Sequence, residues 1–258
     1  MYFNFQFYFL KLSQIINYPL GLLGLKIIRK SRLELVNLSD IEQDKQFWAF
    51  YEKVQPFTLV QVERCYTLYQ TIKYIIKNNI AGDFVECGVW KGGSSMLMAY
   101  VLLQEGVMNR KIYLYDTFMG MTEPGEIDGP EEKKQWVEGK VSDKLNNMSY
   151  SPIEEVKANM SMTGYPAENI ILVKGRVEET LPGNLPSVIS LLRLDTDWYE
   201  STKHELVHLY PLLVKNGVLI VDDYGAWQGA RKATDEYFSS IPNTFLGRID
   251  YTGRIVIK

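Results

Sequence analysis

The chain has 258 residues, 46% of them hydrophobic, with 28 basic against 31 acidic side chains, a net charge of −3 and a pI near 5.6. That length and apolar content suit one large α/β domain with its own core. The acidic balance argues against a nucleic-acid partner. Cys65 and Cys87 are too few for a disulfide framework, so a reducing, cytoplasmic setting and packing roles are expected for both. His204 and His208 stand four apart on a predicted helix without the Glu of the zinc-protease pattern. They read as helix-surface or packing residues, and so few histidines speak against a Ser–His–Asp enzyme.

Met1 to Leu25 carries one charge, Lys11, and many aromatics; Lys26, Arg29, Lys30 and Arg32 follow. Asn4, Gln6, Gln14, Asn17 and Pro19 interrupt the apolar run, whereas a spanning helix needs about 20 mostly apolar residues. Three readings stand: a helix packed at an oligomer or lid interface, an interfacial helix giving residues 1–32 a peripheral membrane contact, and a true span. Residues 1–56 are expected to form an N-terminal extension, 57–258 the main domain, and the protein a homo-oligomer.

A helix is expected over 40–54, and another from Leu59 to about Asn78 with Thr58 as its cap. Asp83–Cys87 reads as the first strand, followed by a helix Met96–Gln104 opened by Ser94 or Ser95. Lys111–Asp116 is the second strand. Residues 118–151 are acidic, punctuated by Gly and Pro, and too long for an ordinary connection, so they read as a lid or inserted cap. A helix near Pro152–Met162 leads to a third strand, Ile170–Val173. The fourth strand is Ile189–Asp195 with a helix Glu200–Val214; the fifth is Val218–Asp222 with a helix around Ala230–Ser240. Phe245–Ile249 and Arg254–Ile257 read as a hairpin. Alternating strands and helices imply a Rossmann-like α/β sheet, mostly parallel, with an antiparallel C-terminal hairpin and helices on both faces.

Two acidic sites follow buried apolar runs: Leu194-Asp195-Thr196-Asp197-Trp198 and Val221-Asp222-Asp223-Tyr224. Ligands of open α/β sheets bind outside the carboxyl ends of the strands, so up to four carboxylates converge at one mouth. Crowded carboxylates need a cation or a shared proton, and an all-oxygen set points to Mg²⁺. The alternative is that these acids are helix caps and solvated loop residues.

The segment Val85-Glu86-Cys87-Gly88-Val89-Trp90-Lys91-Gly92-Gly93-Ser94 runs from strand through turn to helix. It is neither the dinucleotide fingerprint nor a Walker A loop. Its glycines expose backbone amides, and the helix N-terminus favours an anionic group. Glu86 would repel a pyrophosphate but attract an ammonium, which suits a ligand carrying both charges, such as the methionine end of S-adenosylmethionine. Asp116, at the end of the second strand, is placed to bind ribose hydroxyls.

Gly82 to Ser94, Tyr115-Asp116-Thr117-Phe118, Leu194 to Thr202 and Val221 to Gly225 together resemble the macrocin O-methyltransferase (TylF/MycF-like) family. The resemblance covers roughly residues 56–240. It implies a class I methyltransferase fold and a Mg²⁺-dependent transfer of a methyl group from S-adenosylmethionine to a hydroxyl of a sugar or glycosylated natural product. It implies that Glu86 and Ser94 hold the methionine moiety, with Gly88 and Gly92 shaping the turn. Asp116 would meet the ribose and Glu178 the adenine edge. Asp195, Asp222 and Asp223 would bind the metal, and Asp197 would be the general base. Where catechol O-methyltransferases carry a Lys three residues after the first metal Asp, this chain has Trp198, which favours a carboxylate base. A catechol or phenol acceptor is the alternative within the same chemistry. A nicotinamide-dependent oxidoreductase is the more distant one, opposed by Glu86 and by the missing third glycine of its fingerprint.

Overall fold

The computed structural model describes residues 39–143 and 145–258; the expectations for residues 1–32 lie outside this range. The chain separates into a unit of residues 1–45 and a unit of residues 46–258. The predicted helix over 40–54 is broken at Asp44 into α1, Ser39–Gln43, and α2, Lys45–Val54. α2 falls almost wholly in the second unit. Among the described residues, no helix is long and apolar enough to cross a membrane.

In the second unit, α3, Val62–Lys77, leads into β1, Asp83–Cys87, and α4, Gly93–Gln104. β2, Ile112–Asp116, is followed by the insertion with α5, Pro130–Gly139, and then α6, Ile153–Ser161. β3, Ile170–Lys174, is followed by the single turn α7, Val177–Thr180. β4, Ile189–Leu194, α8, Tyr199–Leu209, β5, Leu213–Val221, and α9, Gln228–Ser239, continue the alternation. β6, Gly247–Arg248, and β7, Arg254–Ile257, close it. The sheet order is β3-β2-β1-β4-β5-β7-β6, with β7 antiparallel to both neighbours and all other pairs parallel.

The register explains where the acids meet. Cys87 lies beside Tyr115 on one side and Leu194 on the other, and Leu194 beside Val221. The strands therefore end together, and Gly88, Asp116, Asp195 and Asp222 follow at one edge. The order reverses between β1 and β4, the switch point where open α/β sheets bind ligands. β4 is buried along its whole length, as is most of α4, so a continuous apolar core fixes this edge.

Further elements differ from expectation: α4 begins at Gly93, capped by Gly92 rather than Ser94 or Ser95, and the expected strand Phe245–Ile249 is only Gly247–Arg248. The helix after β4 stops at Leu209 rather than Val214, because Pro211 in the following 3₁₀ turn has no amide to continue it. Leu213–Val221 is instead one nine-residue strand; its exposed start pairs with the C-terminus through Asn216 N to Lys258 O, 2.7 Å. Thr58 does not cap α3; its hydroxyl accepts from the Val60 amide at 3.1 Å. The insertion contains a helix, α5, with Pro130 in its first turn and Glu131 and Glu132 beside it, a start that dipole and proline preferences favour. The insertion is pinned rather than loose. Buried Asp128 accepts from the Tyr199 amide at the start of α8 and from Gly125, both at 2.7 Å, and Gln228 of α9 donates to its carbonyl at 2.8 Å. The Trp198 indole donates to the Thr122 carbonyl at 2.9 Å.

Candidate active site

The turn after β1 is built on close approach. Gly88 has φ of +80°, and a Cβ there would strike the Asp195 carbonyl, so the ends of β1 and β4 meet only because the residue is glycine. Gly92, with φ of +90°, caps α4 from the left-handed region. Asp116 holds this turn: one carboxylate oxygen accepts from Val89 N at 2.7 Å and Trp90 N at 3.2 Å, the other from Phe118 N at 2.7 Å. Much of its hydrogen-bonding capacity is thus spent on the backbone of the two loops it joins.

Beneath the turn lies a charge network that sequence reasoning missed. The Arg193 guanidinium, 2% exposed, reaches Glu86 at 2.6 Å, Asp195 at 2.7 Å and Asp222 at 2.8 Å. Arg64 of α3 pairs with the other Asp222 oxygen and, through Nε, with Asp250 at 3.0 Å. Glu86 also accepts from the Ser95 hydroxyl. The signal was in the sequence: a lone arginine in the otherwise apolar run of β4 must find buried acids.

This network sorts the predicted residues. Asp195, Asp197 and Asp223 offer carboxylate oxygens within 4.8 Å of one another. Asp222 is adjacent but outside that cluster, its two oxygens taken by two guanidinium groups. Asp197 has φ of +68°, a conformation Asp tolerates, and Thr196 between the first two acids is braced by donation to buried Glu205 at 3.0 Å. Glu86, Gly88, Ser94, Asp116, Glu178 and all four aspartates of the two loops line one cavity of about 310 Å³; Gly92 is not among its lining residues. Glu178 lies at the rim, 3.5 Å from Arg176. Cys65 and Cys87 are buried free thiols, and burial pushes Cys65 up to about 12. The His204 and His208 rings lie 4.3 Å apart on α8, tilted by 50° and not lining this cavity, with His204 3.2 Å from the Leu181 carbonyl.

Burial raises the acids. Asp197 is pushed up to about 7, first by burial and then by Asp195 and Asp222, while a hydrogen bond from Asp223 offsets part of the rise. Asp223 is pushed well above the carboxylate range for the same first reason. Asp222 rises to about 6 and Glu86 to about 7 by burial, partly countered by Arg193. Folding the metal-free protein therefore takes up protons between the ordinary values of 3.8 and 4.5 and about pH 7. Because the folded state binds more protons in that window, stability falls as pH rises through it, by up to about 1.4 kcal/mol per pH unit per proton. Thermal melts in EDTA are expected to drop between pH 5 and 7.5. A melting temperature that climbs over this range in EDTA would contradict the assignment.

A parallel sheet with this strand order, a glycine turn after β1 and acids after β4 and β5 is the plan of class I methyltransferases. The comparisons agree. The macrocin O-methyltransferase (TylF) family model matches residues 22–256, and the chain belongs to that family. It is 32% identical over 180 residues to demethyldecarbamoylnovobiocin O-methyltransferase of Streptomyces niveus, covering 70% of this chain and 67% of that protein. It is 33% identical over 180 residues, with the same coverage, to 8-demethyl-8-(2,3-dimethoxy-alpha-L-rhamnosyl)-tetracenomycin-C 4'-O-methyltransferase of Streptomyces olivaceus. The solved structure of the O-methyltransferase NovP matches with a TM-score of 0.71 at 30% identity, over 78% of this chain and 82% of that one. The calicheamicin methyltransferase CalS11 shares the fold, with a TM-score of 0.58 at 20% identity over 95% and 90% of the two chains. The protein is an O-methyltransferase.

Proposed function

We propose that the protein methylates a hydroxyl of a sugar or glycosylated small molecule, with S-adenosylmethionine as donor and a divalent cation, Mg²⁺ first, as helper. The observation that carries this reading is that the Asp195, Asp197 and Asp223 cluster and the glycine turn face one cavity. The acceptors named for the relatives, demethyldecarbamoylnovobiocin and a dimethoxy-rhamnosyl tetracenomycin C, suggest the acceptor class.

The residues present fit both groups. The Ser94 side chain is buried at the start of α4, lines the cavity, and has no hydrogen-bond partner among the described residues. With the helix amides beside it, it suits a ligand carboxylate. Glu86 lies below for the ammonium, although Arg193 already offsets its charge. Asp116 and Glu178 are assigned to the ribose and adenine sides. The hard oxygen donors of Asp195 and Asp223, close together with burial disfavouring the charge of Asp223, suit a divalent cation. Asp222 is assigned to the same cation site through its neighbour Asp223, and the arginines hold its carboxylate in place.

The sulfonium supplies an electrophilic methyl group. The cation, where bound, supplies acidification of the acceptor hydroxyl, as metals do for water. Asp197 would take the hydroxyl proton as the acceptor oxygen bonds to the methyl carbon and the methyl–sulfur bond breaks, S-adenosylhomocysteine leaving; Asp197 lies with Asp195 and Asp223 at the cavity. The turn and α4 orient the donor, and the buried arginines hold the acids against their mutual repulsion.

The test is S-adenosylhomocysteine release from glycosides carrying a vicinal diol, with Mg²⁺ or with EDTA. EDTA is expected to abolish turnover, and added Mg²⁺ to restore it, while calorimetric binding of S-adenosylhomocysteine changes less than several-fold. Full turnover in EDTA would overturn the metal role.

A further inference from the structure

The cavity has a polar floor and an apolar rim, and the rim is built. Two of the large apolar side chains exposed on the described surface, Leu59 at 66% and Tyr251 at 63%, line its mouth. Tyr251 sits at the tip of the turn between β6 and β7, and that tip is held from several sides. Asp250 accepts from the Thr252 and Gly253 amides at 2.9 and 2.7 Å and pairs with Arg64, the same guanidinium that grips Asp222. Gly225, in the loop carrying Asp222 and Asp223, donates to the Thr252 carbonyl at 2.9 Å, and a Cβ at Gly225 would strike the Tyr251 carbonyl. Leu59 lies in the segment joining the turn side of the site, where Phe57 packs on Gly93, to α3 and Arg64.

An aromatic side chain on a rigid tip beside the acids, left in water, gains most from a ligand that covers it. A wholly polar acceptor would leave it exposed. We infer that Tyr251 and Leu59 form an acceptor subsite for a flat apolar ring face carried next to the reacting hydroxyl. That face is either the C–H face of the sugar itself or an aromatic group linked to it. The inference rests on the reading of the protein as a glycoside O-methyltransferase. Neither residue belongs to the donor or acidic machinery, so their loss leaves both intact.

The experiment uses the full chain with Mg²⁺ and S-adenosylmethionine on paired 4-nitrophenyl and methyl glycosides of rhamnose, fucose, glucose and galactose. Tyr251→Ala and Leu59→Ser are expected to raise KM roughly 3- to 10-fold, the size of an aromatic contact, with S-adenosylhomocysteine affinity and melting temperature unchanged. Tyr251→Phe is expected to behave as wild type, since the ring and not the hydroxyl acts. A KM increase confined to nitrophenyl glycosides assigns the subsite to the aromatic group; an equal increase for both members of a pair assigns it to the sugar face. Glycosides turned over with KM unchanged in both variants would overturn the subsite alone. No turnover of any glycoside by the wild-type protein would overturn the reading beneath it.

Discussion

Asp197→Asn is expected to lower kcat by about 10²–10⁴, the usual cost of removing a general base, with KM little changed because the proton moves in the transition state. The amide is nearly isosteric and cannot take the proton. Asn also accepts a left-handed backbone as readily as Asp, so the φ of +68° at this position adds no strain to the variant. The competing role for Asp197 is structural, at the entrance to α8. There the Tyr199 amide is already served by Asp128, at 2.7 Å. A purely structural Asp197 therefore predicts near-normal kcat in the variant. Because Asp197 also belongs to the acidic cluster, Mn²⁺ binding should be measured alongside. A kcat within threefold of wild type at saturating substrate and Mg²⁺ rejects the base.

Arg193→Met is expected to be the most destabilising single change in the site. It would leave Glu86, Asp195 and Asp222 without the guanidinium they share. Removing one member of a buried ionic network costs about 3–5 kcal/mol, a large share of the 5–15 kcal/mol typical of a domain. Arg193→Lys keeps a charge but not the planar fork that reaches three acids, so an intermediate loss is expected. Urea unfolding of the three proteins checks this, and acid supplies a second check. Near pH 5 the raised carboxyls take up protons, so the penalty in Arg193→Met should shrink relative to pH 7.5. A Met variant within about 1 kcal/mol of wild type at pH 7.5 would show that the network does not hold the acids.

The sheet was legible because its strands are short apolar runs closed by Gly or Asp, and those ends are also where the chemistry sits. Ile189–Leu194 and Asp83–Cys87 announce themselves in this way. The start of β5 did not: Lys215, Asn216 and Gly217 fell between the expected helix and strand, and pairing with Lys258, distant in sequence, makes them strand. The acids after β4 and β5 were visible as candidates, but their division of labour was not. Asp222 stands outside the Asp195, Asp197 and Asp223 cluster with its oxygens on Arg193 and Arg64, and Arg64 lies 158 residues away along the chain. Local pattern carries no information about such a partner, although an arginine inside a buried strand was itself a warning that charges converge there.

The anchoring of residues 118–151 by one buried aspartate has a consequence for how this scaffold diversifies. Asp128 joins the inserted segment to the first amide of α8 and to α9, and Gly229 leaves no room for any side chain where that carboxylate lands. The segment is also closed on itself: Gly120 leaves no room for a Cβ against the Asn146 carbonyl, and buried Asn146 donates to the Trp136 carbonyl at 2.8 Å. Sequence drift is thereby confined to the exposed positions of the insertion, while its joints and the strand ends that precede Asp195 and Asp222 stay in place.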